Sequence, residues 1–396
     1  MTLLEGVKLG AQRPRWEHQA PGRVSSAGLE AVDFAASIGL FLDDWQSWWL
    51  DGALAEQANG DWCASDTVLI TGRQSGKNGI LAALELFALF ILGESKIIHS
   101  AHEMPTALNH FEWLIQLIDG CPDLSKRFRP PVKTNGREAL VTMSGQKLVF
   151  RARQKNSARG LSAPRIVFDE AFDIRPQAMG ALVPTTRAMR NKQFTFASSA
   201  PKRTSLVLWS LINRGRANED PDDRFFYAEW GNPKGTPLDD EAAWAQANPA
   251  LGLERPGVGV SVTVENLRDE YRTLVAGGDL QLIAEFAREA VGIGEEPDEH
   301  GDPKLPAGKW EATACLTPRK GRELIESGAK VFAFDVDFDA EHAAICAGVG
   351  TVVDPFVELV DDREGASWVP ARLVELVQRH QPTAPARYSR SPWPRW

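Results

Sequence analysis

Cysteine is scarce in this chain, and long apolar runs are missing. The four cysteines, Cys63, Cys121, Cys315 and Cys346, stand apart without any C-x-x-C spacing, which argues against a zinc site and for reduced thiols in a cytoplasm. The longest apolar stretch, Ile80 to Leu92, covers thirteen residues and contains Glu85, well short of the ~20 residues a bilayer-spanning helix needs. Met1 to Arg15 hold no apolar segment of the signal-peptide kind, so export is not expected. Positive charge is also in deficit. A net charge of −9 is a poor match to a static, high-affinity DNA-binding module, in which phosphate neutralisation shows as a basic domain. No internal repeat is visible.

What is present is an ordinary globular composition. Hydrophobic residues make up 43% and charged residues 24% of the chain, enough to bury a large core. At 396 residues, and with one domain per ~100 to 200 residues, two domains plus a fragment fit best. Basic residues cluster locally, at Arg151, Arg153, Lys155 and Arg159, at Arg187, Arg190 and Lys192, and at Lys202 and Arg203. Each cluster is also compatible with a plain solvated face.

Residues 1–40 show little periodicity and several Pro, Gly and Ser, and read as an extended arm. Leu42, Trp45, Trp48 and Trp49 then recur at helical spacing, and the tryptophans are assigned to the core. Asp66 to Thr71 reads as a buried strand, a glycine-containing turn follows, and Asn78 to Leu92 reads as a long apolar helix. A strand at Lys96 to His99, a helix around Thr106 to Ile118, a hairpin of Leu140 to Met143 with Lys147 to Phe150, and strands Arg165 to Phe168 and Gln193 to Ala197 complete a sheet of at least five strands. The β-α-β-α order predicts a parallel sheet covered by helices. Beyond Pro201 the pattern weakens into short helices and polar turns. Glu295 to Pro306 is acidic, proline-rich and free of aromatics, as a linker is. Strands at Lys330 to Phe334, Ala343 to Val349 and Val352 to Val360, then a helix over Trp368 to Arg379, begin another domain.

Two segments carry chemistry. Gly72-Arg73-Gln74-Ser75-Gly76-Lys77-Asn78 lies between the buried strand and the helix start, where backbone N–H groups and a helix N-terminus cradle phosphate oxygens and a lysine reaches the terminal phosphates. Three residues rather than four separate Gly72 from Gly76, and Asn78 stands where a Ser or Thr would bind magnesium. The second segment is Arg165 to Phe168 followed by Asp169 and Glu170. An aspartate at a strand's carboxyl end can hold magnesium, and an adjacent glutamate can orient and deprotonate a water. The plain alternative is that the two acids cap the following helix.

In these elements the sequence resembles the large terminase subunits of tailed bacteriophages. Arg73 to Lys77 is similar to the family's Arg-x-x-Gly-Lys loop, Asp169 and Glu170 to its Asp-Glu strand end, and Ser198-Ser199-Ala200-Pro201 to its coupling motif. Ser157 to Leu161 resembles the stretch that supplies an arginine finger, here Arg159, to a neighbouring subunit, and Gln46 the adenine-reading glutamine. Tyr227 to Trp230 with Asn248 to Gly252 looks like the passage from motor to nuclease. The resemblance runs from about Leu40 to His380. It implies an α/β chain with a P-loop NTPase domain of the ASCE type, a linker region and an incomplete RNase H-like nuclease domain. On this basis residues 1–40 are the arm, 41–235 the ATPase, 236–306 the linker or lid, and 307–396 the truncated nuclease.

The resemblance also implies ATP and Mg2+ as cofactors, with Mg2+ or Mn2+ for a complete nuclease. Its implied partners are double-stranded viral DNA, the portal protein of the procapsid, the terminase small subunit and further copies in a ring; no membrane is involved. The place of action is the host cytoplasm, docked on the procapsid and absent from the mature virion. A negative net charge is compatible with a motor that releases DNA on every stroke. Phe332 to Asp337 resembles the first nuclease strand, making Asp335 the first metal ligand and Asp337 or Asp339 weaker candidates, with Glu358 the one later acid in a comparable setting. The last sixteen residues hold two Trp, four Pro and three Arg but no acid, and are read as an aberrant end left by a frameshift or a truncated gene, so the nuclease is expected to be inactive. The alternatives are a superfamily-2-like helicase or other DNA-dependent ATPase, and an assembly protein that has lost its ATPase.

Overall fold

A computed structural model describes residues 9–134, 137–153, 162–217, 219–255, 259–260, 262–297, 330–336, 342–350 and 355–382. The chain divides into two compact units, Met1–Glu299 and His300–Trp396.

In the first unit the elements run β1 (Trp16–His18), β2 (Ser25–Ser26), α1 (Gly28–Ser37), α2 (Asp44–Ala53), β3 (Ala55–Glu56), β4 (Asp66–Ile70), α3 (Lys77–Phe90), β5 (Lys96–Ala101), α4 (Met104–Gly120) and α5 (Pro122–Ser125). They continue as β6 (Ala139–Val141), β7 (Lys147–Ala152), β8 (Arg165–Phe168), α6 (Pro176–Leu182), β9 (Gln193–Ser198), α7 (Leu206–Ala217), β10 (Phe225–Glu229), α8 (Glu241–Ala247), β11 (Glu254–Arg255), β12 (Gly259–Val260), α9 (Val264–Leu274) and α10 (Leu280–Glu289). One eight-stranded sheet organises them in the order β1-β10-β4-β9-β8-β5-β7-β6. The six strands from β10 to β7 pair in parallel, and the edges β1 and β6 are antiparallel. An additional strand, β9, separates β4 from β8. That is the topology of an ASCE-type P-loop fold.

A parallel sheet needs both faces covered, and the side-chain alternation along each strand supplies two cores. On β4, Val68 and Ile70 join Phe168, Phe194, Phe196 and residues Leu208, Trp209 and Ile212 of α7. Leu69, on the opposite face, packs with Trp45, Trp49, Ile80, Leu84 and Phe87 of α2 and α3. Every residue of α3 from Gly79 to Leu89 is buried, as befits a helix that is apolar all round.

The N-terminal stretch departs from the expected extended arm. Residues 9–40 include the ten-residue helix α1, and β1 lies along β10 with Trp16 opposite Glu229. The weak local pattern reflects pairing partners that are far away in sequence. Within the stretch 236–306 expected as linker or lid, described elements run as far as Glu289: α8, α9 and α10 bury Trp244, Leu267 and Phe286 in a core of their own, and belong to the same compact unit.

The described part of the second unit is an antiparallel sheet of β13 (Lys330–Val336), β14 (His342–Gly350) and β15 (Pro355–Glu364), in that order, with helix α11 (Val369–His380). Phe332, Ala343, Ile345, Val369 and Leu376 form its core. No helix among the described residues is long and apolar enough to cross a membrane.

Candidate nucleotide-binding site

The carboxyl ends of β4, β8 and β9 open into one cleft of about 430 Å³, within the usual range for a small-ligand pocket. Lys77, Asn78, Asp169 and Glu170 line it together. The loop that brings Lys77 there is built from glycine. Gly76 caps α3 in the left-handed region, at φ 100°, which Gly enters without a Cβ penalty. Gly72 approaches Asn248 so closely that a Cβ would stand 2.3 Å from Asn248 Oδ1.

Backbone contacts fix the loop from behind. Gly72 N–H donates to Ala247 O at 2.7 Å and Arg73 N–H to Glu289 O at 2.9 Å. Lys77, the first residue of α3, donates from Nζ to Gly72 O at 3.2 Å. Burial pushes its ammonium below the usual lysine range, and the Asp169 carboxylate partly opposes that shift. The hydrogen-bond partner of Lys77 Nζ is thus a backbone carbonyl rather than a carboxylate.

Opposite, Asp169 directly follows β8 and is buried, with its N–H donating to Ser100 O of β5 at 2.9 Å. Glu170 is left-handed at φ 51°, a conformation in which a non-glycine residue stores strain. Its N–H donates to Asp169 Oδ1 at 2.9 Å. Arg153 locks this turn: Nη1 donates to Ser100 O and Asp169 O, and Nη2 to Glu170 O, each at 2.7 Å. Burial and then the neighbouring Asp169 charge push the Glu170 carboxyl above its ordinary value, moving it towards the range of a general base at neutral pH.

A divalent cation is implied by the ATPase reading, and the donor set fits one. Asp169 offers a carboxylate and Asn78 an amide on the cleft wall, and Ser75 Oγ is buried without a protein partner. Elsewhere, Glu85, His99 and His110 bring ligand atoms within 4.8 Å of one another. That trio is not a metal cage. Its imidazoles stack at 4.4 Å and 17°, so no point lies in both ring planes within bonding distance of both nitrogens. Instead His99 Nδ1 and His110 Nε2 donate to the two Glu85 oxygens at 2.7 and 2.8 Å.

No protein-family model matches the chain, and no curated protein matches it. Solved structures do. The crystal structure of the HK97 bacteriophage large terminase aligns with a TM-score of 0.56 at 15% identity, over 89% of this chain and 73% of its own. The fold is that of a phage large terminase. Looser likenesses include the Thermus phage P74-26 large terminase ATPase domain (TM-score 0.43, 16% identity, 66% of this chain and 97% of that one). The large terminase of another thermophilic bacteriophage gives 0.40 at 9% identity, over 86% of this chain and 73% of that one.

Within this terminase fold the residues expected to act together are partly gathered. Arg73, Gln74, Gly76, Lys77, Asn78, Asp169, Glu170 and Ser199 share the cleft. Ser198 ends β9 and its Oγ accepts the Phe172 N–H at 3.0 Å, while Ala200 is buried beside it. Gln46 is placed behind the loop: Oε1 accepts the Asp43 N–H at 2.7 Å and Nε2 donates to Gly76 O at 2.8 Å. Its contacts here hold the loop's shape. Arg159 lies outside the described residues.

Asp335 belongs to the second unit, exposed on β13. The expected strand end at Val360 was too early, because β15 runs on to Glu364. The register therefore aligns Asp335 with Ala344 and Asp362 in one row, while Glu358 falls in the row of Ala347 and Phe332. Sequence reasoning also missed what Arg153 does, although that residue stood out as part of a basic cluster. It missed Asn248 and Glu289 as loop supports, since nothing local ties them to Gly72 or Arg73.

Proposed function

We propose that this chain is the ATP-hydrolysing motor subunit that drives double-stranded viral DNA into a procapsid. The reading rests on one observation above the others: Lys77, at the start of α3, faces Asp169 and Glu170 across a single cleft. The β- and γ-phosphates of ATP take the loop's N–H groups and the Lys77 ammonium as partners. Glu170 accepts the proton of the attacking water, whose oxygen forms the new bond to the γ-phosphorus while the bond to the β,γ-bridging oxygen breaks, giving ADP and phosphate. Asp169 and Asn78 would hold Mg2+, which supplies charge neutralisation on the phosphates when bound.

Arg159 is assigned by resemblance as the arginine that completes a neighbour's site in a ring. The portal protein and a small subunit are the partners such a motor docks on. The second unit corresponds to the start of a nuclease domain. A helicase would carry a second nucleotide-binding-like domain, whereas the described sheet of this unit is antiparallel and three-stranded.

ATP hydrolysis by the purified chain, measured with and without double-stranded DNA and empty portal-bearing capsids, tests the reading. Stimulation by both, abolished in Lys77→Ala, is expected. Hydrolysis that responds to DNA but not to capsids points to a general DNA-dependent ATPase instead.

A further inference from the structure

Four cations line the cleft, and the side chains of two of them, Lys77 and Arg288, have partners within the unit. Lys77 donates to Gly72 O, Arg73 is held at its backbone by Glu289, and Arg288 is ringed by Glu285, Glu289 and Glu295. Lys202 differs. It is exposed and makes no ion pair among the described residues, and its Nζ sits 4.8 Å over the Phe172 ring on the wall of the cleft that Lys77, Asp169 and Glu170 line. An ammonium resting on an aromatic face keeps its charge available while its stem is steered.

The backbone under Lys202 is well anchored. Its N–H donates to Ser205 Oγ at 3.0 Å and its carbonyl accepts from Trp209 Nε1 at 3.2 Å. Ser205 Oγ in turn donates to Phe172 O, and the Phe172 N–H donates to Ser198 Oγ at 3.0 Å. The ring that supports Lys202 is thereby tied both to the turn after Glu170 and to the segment that follows β9. A cation so placed stands on the wall of the same cleft as the lysine loop.

We infer that Lys202 is a second phosphate-contacting cation, supplied in cis by the segment after β9, which distinguishes a nucleoside triphosphate from a diphosphate. The inference rests on the ATPase reading above. A contact made to the γ-phosphoryl group stabilises charge in the transition state and is absent from ADP.

The test compares the full chain with Lys202→Met, which keeps the aliphatic stem over Phe172, with Lys202→Arg, and with Lys77→Ala as a reference. Steady-state hydrolysis and the dissociation constants of ATPγS and ADP are measured for each. Lys202→Met is expected to lose on the order of 10- to 100-fold in kcat and to weaken ATPγS about tenfold with ADP unchanged, Lys202→Arg recovering most of both. A merely structural lysine moves neither the ATPγS-to-ADP ratio nor its rescue by arginine. A ratio and kcat within about twofold of the parent, in a parent that hydrolyses ATP and fails to with Lys77→Ala, overturns the assignment of Lys202 alone. A parent chain that binds neither nucleotide overturns the ATPase reading along with it.

Discussion

Replacing Glu85 by Gln is the sharpest perturbation of this fold, because it removes a charge that is fully buried in the helix following the lysine loop. Glu85 accepts hydrogen bonds from His99 of β5 and His110 of α4, both themselves buried. Burial raises the carboxyl's pKa, but the His99 and His110 charges and N–H donors outweigh it and hold the group down from 4.5 to about 2. At 1.36 kcal/mol per pKa unit, that shift corresponds to about 3 kcal/mol. A buried ion pair broken by removing one partner costs about 3 to 5 kcal/mol, so two routes agree on scale. His99 is pushed the other way, above 6.5: burial opposes its charge, and Glu85 overcomes burial. The two shifts describe one interaction and are counted once.

The signs give a window. A carboxylate with a depressed folded value contributes stability that is full above 4.5 and lost as pH falls towards about 2. An imidazole with a raised folded value contributes stability that is full below 6.5 and lost as pH rises through that folded value. Thermal melts of the parent should therefore peak between these limits. Glu85→Gln should melt about 6 °C lower at the peak, taking the lower end of roughly 2 to 4 °C per kcal/mol for a unit this large. It should also flatten both limbs of the pH profile. Glu85→Gln melting within about 1 °C of the parent, with the same pH profile, would refute the buried ion-pair account.

Glu170→Gln is expected to bind ATPγS as the parent does but to lose turnover, and the parent's kcat should fall as pH drops through the raised Glu170 value, since the base acts only when ionised; unchanged turnover in the variant removes Glu170 from its role. Mixing Arg159→Ala with Glu170→Gln subunits is expected to restore some hydrolysis, because each supplies what the other lacks across a ring interface. No recovery at any ratio, with ring assembly confirmed by sedimentation, counts against a trans arginine. Among the described residues of the second unit Asp335 and Asp362 are the carboxylates that share a row, and two-metal hydrolysis needs several converging on ions about 4 Å apart. Supercoiled plasmid incubated with Mn2+ should stay intact, and nicking that vanishes in Asp335→Ala would show that the site is complete.

The local signals in the sequence were enough for the strand-loop-helix around Lys77 and for the acidic end of β8. Gly76 can turn left-handed wherever it stands, an apolar run ending in two acids is a buried strand reaching a surface, and both properties are set within a few residues. Their order along the chain also carried the resemblance to large terminases. What tertiary structure alone decided is who meets whom. Residues 9–26 have no period of their own because their partners are remote: Arg15 bonds Asn232, 217 residues away, and three residues of β1 are a strand only because β10 is beside them. Glu85 reads as one acid spoiling an apolar helix until His99 and His110 close on it. Gln46 turns out to brace the loop, and Lys202, one basic residue among several clusters, faces the cleft because Phe172 and Ser205 hold it there. Turn chemistry and hydrophobic period are local properties of a chain, whereas hydrogen-bond partners and desolvation exist only after distant segments have packed.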